Sequence, residues 1–205
     1  MEFRLTYHGP LQSTQRDAIG SQACPRRDHK HYIRRVFHAQ LKRLWEVTPF
    51  LNSGQGSGPG AFLTAGSKVH DFSRDTLAKQ HALYGFNFVP LVTEELNLIC
   101  GLDILFLRPD VPGRVLASGD IDNRLKTLFD ALRIPVAGEK YTDRTPAPDE
   151  NPLYCLLEDD SLITKVSVET DQLLQCETAN VNETRLIITV RLRPYEMHLG
   201  NMQFG

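Results

Sequence analysis

The chain has little of what would place it in several common classes. Its four cysteines, Cys24, Cys100, Cys155 and Cys176, are scattered through 205 residues. They form no CxxC pair and no zinc spacing, which excludes a disulfide scaffold and a zinc finger and fits a reducing cytoplasm. No apolar run reaches transmembrane length, and the first residues carry no signal-peptide pattern. Internal repeats and heptad runs are absent. The glycine-rich stretch from Asn52 to Gly60 lacks the Gly-Lys-Ser/Thr ending of a P-loop and reads as a mobile surface loop. His29, His31 and His38 lie close together, but no Cys or acid completes a zinc set. They are expected on a solvated loop and helix. Ser13, Ser53 and Ser57 sit in no nucleophile context.

What is present is an ordinary globular composition, 41% hydrophobic and 23% charged. The length suits one sizeable core. A net charge of −2 argues against a strongly basic nucleic-acid binder, yet the charge is unevenly placed. Residues 1–45 hold nine Lys/Arg and three acids, a basic excess of six that leaves −8 for the rest. Such asymmetry fits a phosphate-gripping surface beside a carboxylate site, or more plainly a helix with a solvated basic face.

The pattern predicts one α+β domain over residues 1–195: a mixed or mostly antiparallel sheet packed by two helices. Phe3–Tyr7 reads as a strand. Ile33, Val36, Phe37, Leu41, Leu44 and Trp45 recur at helical spacing over Lys30–Glu46. Tyr84–Val92 and Leu96–Leu107 read as two strands joined by a tight turn. Asn123–Arg133 is a short amphipathic helix closed by Pro135, and strands follow at Leu162–Val168 and Leu186–Leu192. Residues 9–29, 51–68 and 136–155 read as loops, and 196–205 as a loose tail. Trp45 and Cys100 are expected in the core.

Two acidic knots carry the chemistry. Asp120 and Asp122 lie at what reads as the end of an extended segment, where residues i and i+2 face the same way and share one cation. Asp122 also suits a helix cap. Lys126 follows one helical turn later, on the side away from the core with Asp130. The second knot, Glu158-Asp159-Asp160, immediately precedes a strand. Carboxylates brought that close repel unless a cation neutralises them. Hard oxygen donors of this kind take magnesium, and a neighbouring lysine suits an anionic substrate. The plain alternative is a pair of polar, exposed turns. A phosphatase would carry its aspartates after an early strand with a Gly-Thr-like turn, which this chain lacks. A nucleotide-sugar enzyme would show a larger nucleotide-binding domain.

The segment Gly119-Asp120-Ile121-Asp122-Asn123-Arg124-Leu125-Lys126-Thr127-Leu128-Phe129-Asp130-Ala131-Leu132 resembles the signature helix of the RusA family of Holliday-junction resolvases. That signature runs Asp-x-Asp-Asn-x-x-Lys-x-x-x-Asp-Ala-Leu. The family's acidic pair opening a strand is matched by Leu157–Ile163, and its closing Leu-x-Ile-x-Val strand by Leu186–Val190. The resemblance covers residues 117–133 and 156–192 and is only architectural before them. It implies a homodimeric, Mg2+- or Mn2+-dependent endodeoxyribonuclease that cuts branched DNA such as four-way junctions. A non-catalytic DNA-binding module keeping the same fold is the alternative. The implied metal-binding acids are Asp120, Asp122 and Asp160, the catalytic lysine is Lys126, and Asn123 and Asp159 support them. Arg26, Arg27, Lys30, Arg34 and Arg35 are candidate phosphate contacts. The chain departs from the family in its long 136–155 loop, in Gly9-Pro10-Leu11-Gln12-Ser13 at the family's Pro-Pro-Ser/Asn opening, and in its mildly acidic charge.

Overall fold

A computed structural model describes residues 1–12, 25–53, 73–109, 120–136, 145–174, 183–198 and 200–205, without the side chains of 25–27, 53 and 120. The elements in chain order are β1 (Glu2–Pro10), α1 (Pro25–Val47), α2 (Pro49–Ser53), α3 (Arg74–Gln80), β2 (Ala82–Leu83), β3 (Phe86–Val92), β4 (Leu98–Arg108), α4 (Asp120–Leu132), β5 (Leu153–Leu157), β6 (Ile163–Gln172) and β7 (Glu183–Pro194). Single 3-10 turns occupy Asp160–Leu162 and Met202–Phe204.

The α+β class and single domain stand, but the strands form two mixed sheets rather than one. The larger runs β1-β7-β4-β6, antiparallel except for the parallel β4–β6 pair. The smaller runs β2-β3-β5, with β3 and β5 parallel. The strands flanking Thr93–Glu95 therefore do not form a hairpin, because β3 and β4 go to different sheets. Burial separates them. β4 alternates buried and half-buried positions, as a one-sided strand does, while Phe88–Val92 of β3 is buried throughout. Tyr84 and Gly85 both have positive φ, 52° and 81°, the backbone a two-residue type I′ hairpin requires between β2 and β3.

Helix α1 begins at Pro25, earlier than periodicity suggests, since proline is well placed in a first helical turn. Ile33, Phe37, Leu41 and Trp45 recur every four residues and bury one stripe in the core, beside β5, α4 and β1, with Trp45 tilted against Tyr154 of β5. At the outer edge of that sheet, Gln40 of α1 accepts the Thr6 N–H at 2.9 Å and donates to the Thr6 carbonyl at 2.7 Å. Its amide thus satisfies the outward backbone groups of β1 at Thr6.

Residues 200–205 are not a loose tail. Asn201 is buried and donates to the Leu96 and Glu196 carbonyls, both at 2.8 Å. Phe204 packs edge-on against Phe50 with ring centroids 5.1 Å apart. The Met1 ammonium donates to the Phe204 carbonyl at 2.5 Å and to the Leu192 carbonyl at 3.1 Å. No helix among the described residues is long and apolar enough to cross a membrane.

Candidate active site

Helix α4 begins at Asp120 itself. The backbone of both Asp120 and Asp122 is thus helical, while the side chain of Asp120 and the extended segment expected before it, residues 110–119, lie outside the described residues. The hydrophobic stripe dictates this helix. Ile121, Leu128, Ala131 and Leu132 are buried, and Leu125 and Phe129 pack beside the core.

The opposite face carries the polar set. Asp122 and Lys126 lie one turn apart with Nζ to Oδ2 at 3.4 Å, and both side chains are about two-thirds exposed. Lysine at i+4 from an aspartate gains a modest attraction and stays available to solvent. The helix N-terminus adds a positive partial charge on the Asp122 side. Asn123 offers its carbonyl to the Thr127 hydroxyl at 3.1 Å. Arg124 turns inward, buried, and donates to the Leu11 carbonyl at 2.9 Å, which ties α4 to the end of β1.

The second knot splits by role. Glu158 accepts the Glu94 N–H at 3.0 Å. Asp159 caps the following 3-10 turn by accepting the Ser161 N–H at 2.9 Å, and the hydrogen bonds from Ser161, side chain then backbone, hold its carboxyl below the usual range. Asp160 is half exposed, with Arg133 Nε at 3.9 Å from its Oδ1. Arg133 also donates to Asp130 Oδ1 at 2.8 Å and to the Ile134 carbonyl at 3.0 Å. The structure therefore brings the Asp160 knot to the C-terminal end of α4. A rise of ~1.5 Å per residue sets the Asp122 and Arg133 backbones roughly 16 Å apart along the axis. Among the described residues, no three His, Cys, Asp or Glu side chains gather as a metal group. The Asp120 side chain lies outside that description.

The basic candidates on α1 mostly face inward. Arg34 is buried and donates to the Arg133 carbonyl at 3.2 Å and the Asp130 carbonyl at 2.6 Å, so it caps the end of α4 and cannot reach a phosphate. Lys30 pairs with Asp130 at 2.6 Å, and Arg35 with Glu150 at 2.9 Å. The side chains of Arg26 and Arg27 fall outside the described residues. Helical periodicity misleads because α1 packs on β5 and β1 as well as on α4, and its buried face is wider than one stripe.

The histidines also correct an expectation. His31 and His38 are buried, not solvated. His31 Nε2 meets Glu150 Oε1 at 3.0 Å and stands edge-on to Phe86. Glu150, within a stretch expected to be loop, is itself buried and accepts the Ala147 N–H. Burial pushes the Cys100 and Cys155 thiols up to about 12, so neither is a nucleophile at neutral pH.

No family model, curated protein or solved structure matches the chain. The likeness to the RusA signature accordingly rests on the residues themselves.

Proposed function

We propose that the protein is a metal-dependent endodeoxyribonuclease acting on four-way or related branched DNA. The observation that carries this reading is the exposed Asp122–Lys126 pair on the first turns of α4, inside the Asp-x-Asp-Asn-x-x-Lys segment. The donor chemistry fits a hard cation: Asp122 and Asp160 offer carboxylate oxygens that are half exposed or more, and Asp120 lies on the same turn as Asp122. Asp120 and Asp122 would hold Mg2+ or Mn2+, and Asp160, which stands at the far end of α4, would have to move toward them to complete the set. When bound, the cation would acidify a water and neutralise phosphate charge. Lys126 would sit against the scissile phosphate and offset the charge that grows on the leaving oxygen. Backbone N–H groups at the start of α4 would attract the same phosphate. Asn123 and Asp159 would position their neighbours in the chain. A two-fold dimer would present two such sites to the two strands that a junction needs cut. A reducing cytoplasm suits the two buried free thiols.

The test is nicking of labelled four-way junctions and matched linear duplex, with and without magnesium, by the wild type and Asp120→Asn. Cleavage confined to branched DNA and magnesium, and lost in the variant with binding retained, supports the reading. Full nicking by the variant would sink it.

A second reading is a non-catalytic DNA-binding module. It is favoured by the Arg133 contact to Asp160, which engages one of the three acids at the far end of α4. Binding of junction DNA without cleavage in either Mg2+ or Mn2+ would select it.

A further inference from the structure

The two edges of the large sheet are finished differently. Gln40 covers the β1 edge at Thr6. The other edge, β6, pairs with β4 on one side, and no described strand adjoins it on the other. Unlike its neighbours, β6 is open on both faces: Thr164, Lys165, Val166, Ser167 and Glu169 are exposed, and Val168 and Thr170 only half-buried. Val166 keeps 43% of its surface in water on the face where β4 buries Leu102. A ten-residue open edge is a template for another strand.

We propose that β6 is the docking edge for a second copy of this chain, paired antiparallel about a two-fold axis at Ser167. The strand's own charges argue for that occupant. Antiparallel pairing centred there sets Lys165 opposite the partner's Glu169, and by symmetry Glu169 opposite the partner's Lys165. Val166 then meets the partner's Val168 on the other face, and Thr164 meets the partner's Thr170. Neighbouring registers lose this match. A centre at Val166 sets Lys165 against Ser167 and Glu169 against Ile163, and a centre at Val168 leaves Glu169 against Ser167. Lys165 already reaches Asp103 at 3.2 Å, but two-thirds of its side chain is exposed and its ammonium has three donors. The two four-stranded sheets join into one of eight strands, and backbone bonds supply the affinity while the charges set the register. The β6 edge starts three residues after Asp160, but its pairing does not require the chemistry proposed at α4.

Sedimentation of the full chain at low and high salt tests the pairing. The wild type is expected to be a dimer. Lys165→Glu and Glu169→Lys alone should each raise the dimer dissociation constant at least tenfold. An equimolar mixture of the two, or the double swap in one chain, should restore it. Ser167→Cys gives a second readout that tolerates no refolding argument, since opposed cysteines on the axis should cross-link two copies beyond the wild-type background under mild oxidation. A monomeric wild type, a dimer indifferent to both reversals, failure of the mixture to re-form dimer, or no added cross-link from Ser167→Cys would each overturn the proposal. Junction cleavage measured on the same samples reports on the proposed activity separately.

Discussion

The His38 ring accepts the backbone N–H of Tyr154 on Nδ1 at 2.9 Å, while its Nε2 lies 2.9 Å from the Asp149 carbonyl. Those partners assign the Nε2–H tautomer, because a carbonyl can only accept and an N–H only donate. The neutral ring thus stitches α1 to the start of β5 and the turn before it.

Acid should undo this stitch. Burial holds the His38 pKa below its ordinary 6.5 and outweighs the neighbouring Asp149 and Glu150. A base whose folded pKa is lowered binds fewer protons folded than unfolded across the window between the two values. Its stabilisation is full above about pH 6.5 and is lost as the pH falls through the folded value. His29 and His81, also lowered by burial, act in the same direction. Urea midpoints measured from pH 7.5 to 5 should fall, and His38→Gln, which keeps one donor and one acceptor, should flatten the slope. An unchanged slope would contradict the assignment.

Arg34→Met should destabilise the fold without touching the exposed face of α4. The change keeps the length of the stem but leaves the Asp130 and Arg133 carbonyls without this donor. A lost buried bond to a charged donor costs about 2 kcal/mol. Equilibrium unfolding measures it, and a loss within error would show that those carbonyls find other partners. DNA affinity of the folded fraction should not change, in contrast to what a phosphate contact would give.

Asp122→Asn should lower junction nicking in magnesium at least about 100-fold, the scale on which even outer partners of a metal ligand act. Its melting temperature should stay near wild type, since the carboxylate is exposed and its pairing with Lys126 is a surface pair. Lys126→Ala should lower the rate and leave metal dependence intact. A variant that loses activity only because it unfolds would be seen in the melt.

Phe204→Ala should cost about 3 kcal/mol, as for other buried aromatics cut to alanine. The ring is fully buried against Phe50. Thermal unfolding checks this, and a loss under half that size would mean that the 3-10 turn at 202–204 can detach freely.

Periodicity carried much of the architecture. The stripe from Ile33 to Trp45 and the alternation from Leu98 to Phe106 locate α1 and β4, because both elements bury a single regular face. It failed where burial was two-sided or the partner distant. Leu153–Leu157 of β5 is buried at every position, so no alternation betrays it, and its first three residues fell within a presumed loop. Arg34 shows the same failure on α1, where a charged residue is held by carbonyls of a helix a hundred residues away in sequence. In the candidate site, the Asp122–Lys126 spacing was readable because it is local. The meeting of Asp160 with Arg133 was not, because it depends on how the turn before β6 docks on the end of α4.

The Gln40 amide has a consequence for assembly. A sheet open at both edges can add copies at each end and grow into a filament. At its far edge an internal side chain already holds the Thr6 backbone, so β6 is the freer end of this sheet. Self-association through β6 would then close on itself after two copies, with Gln40 set against further growth at Thr6.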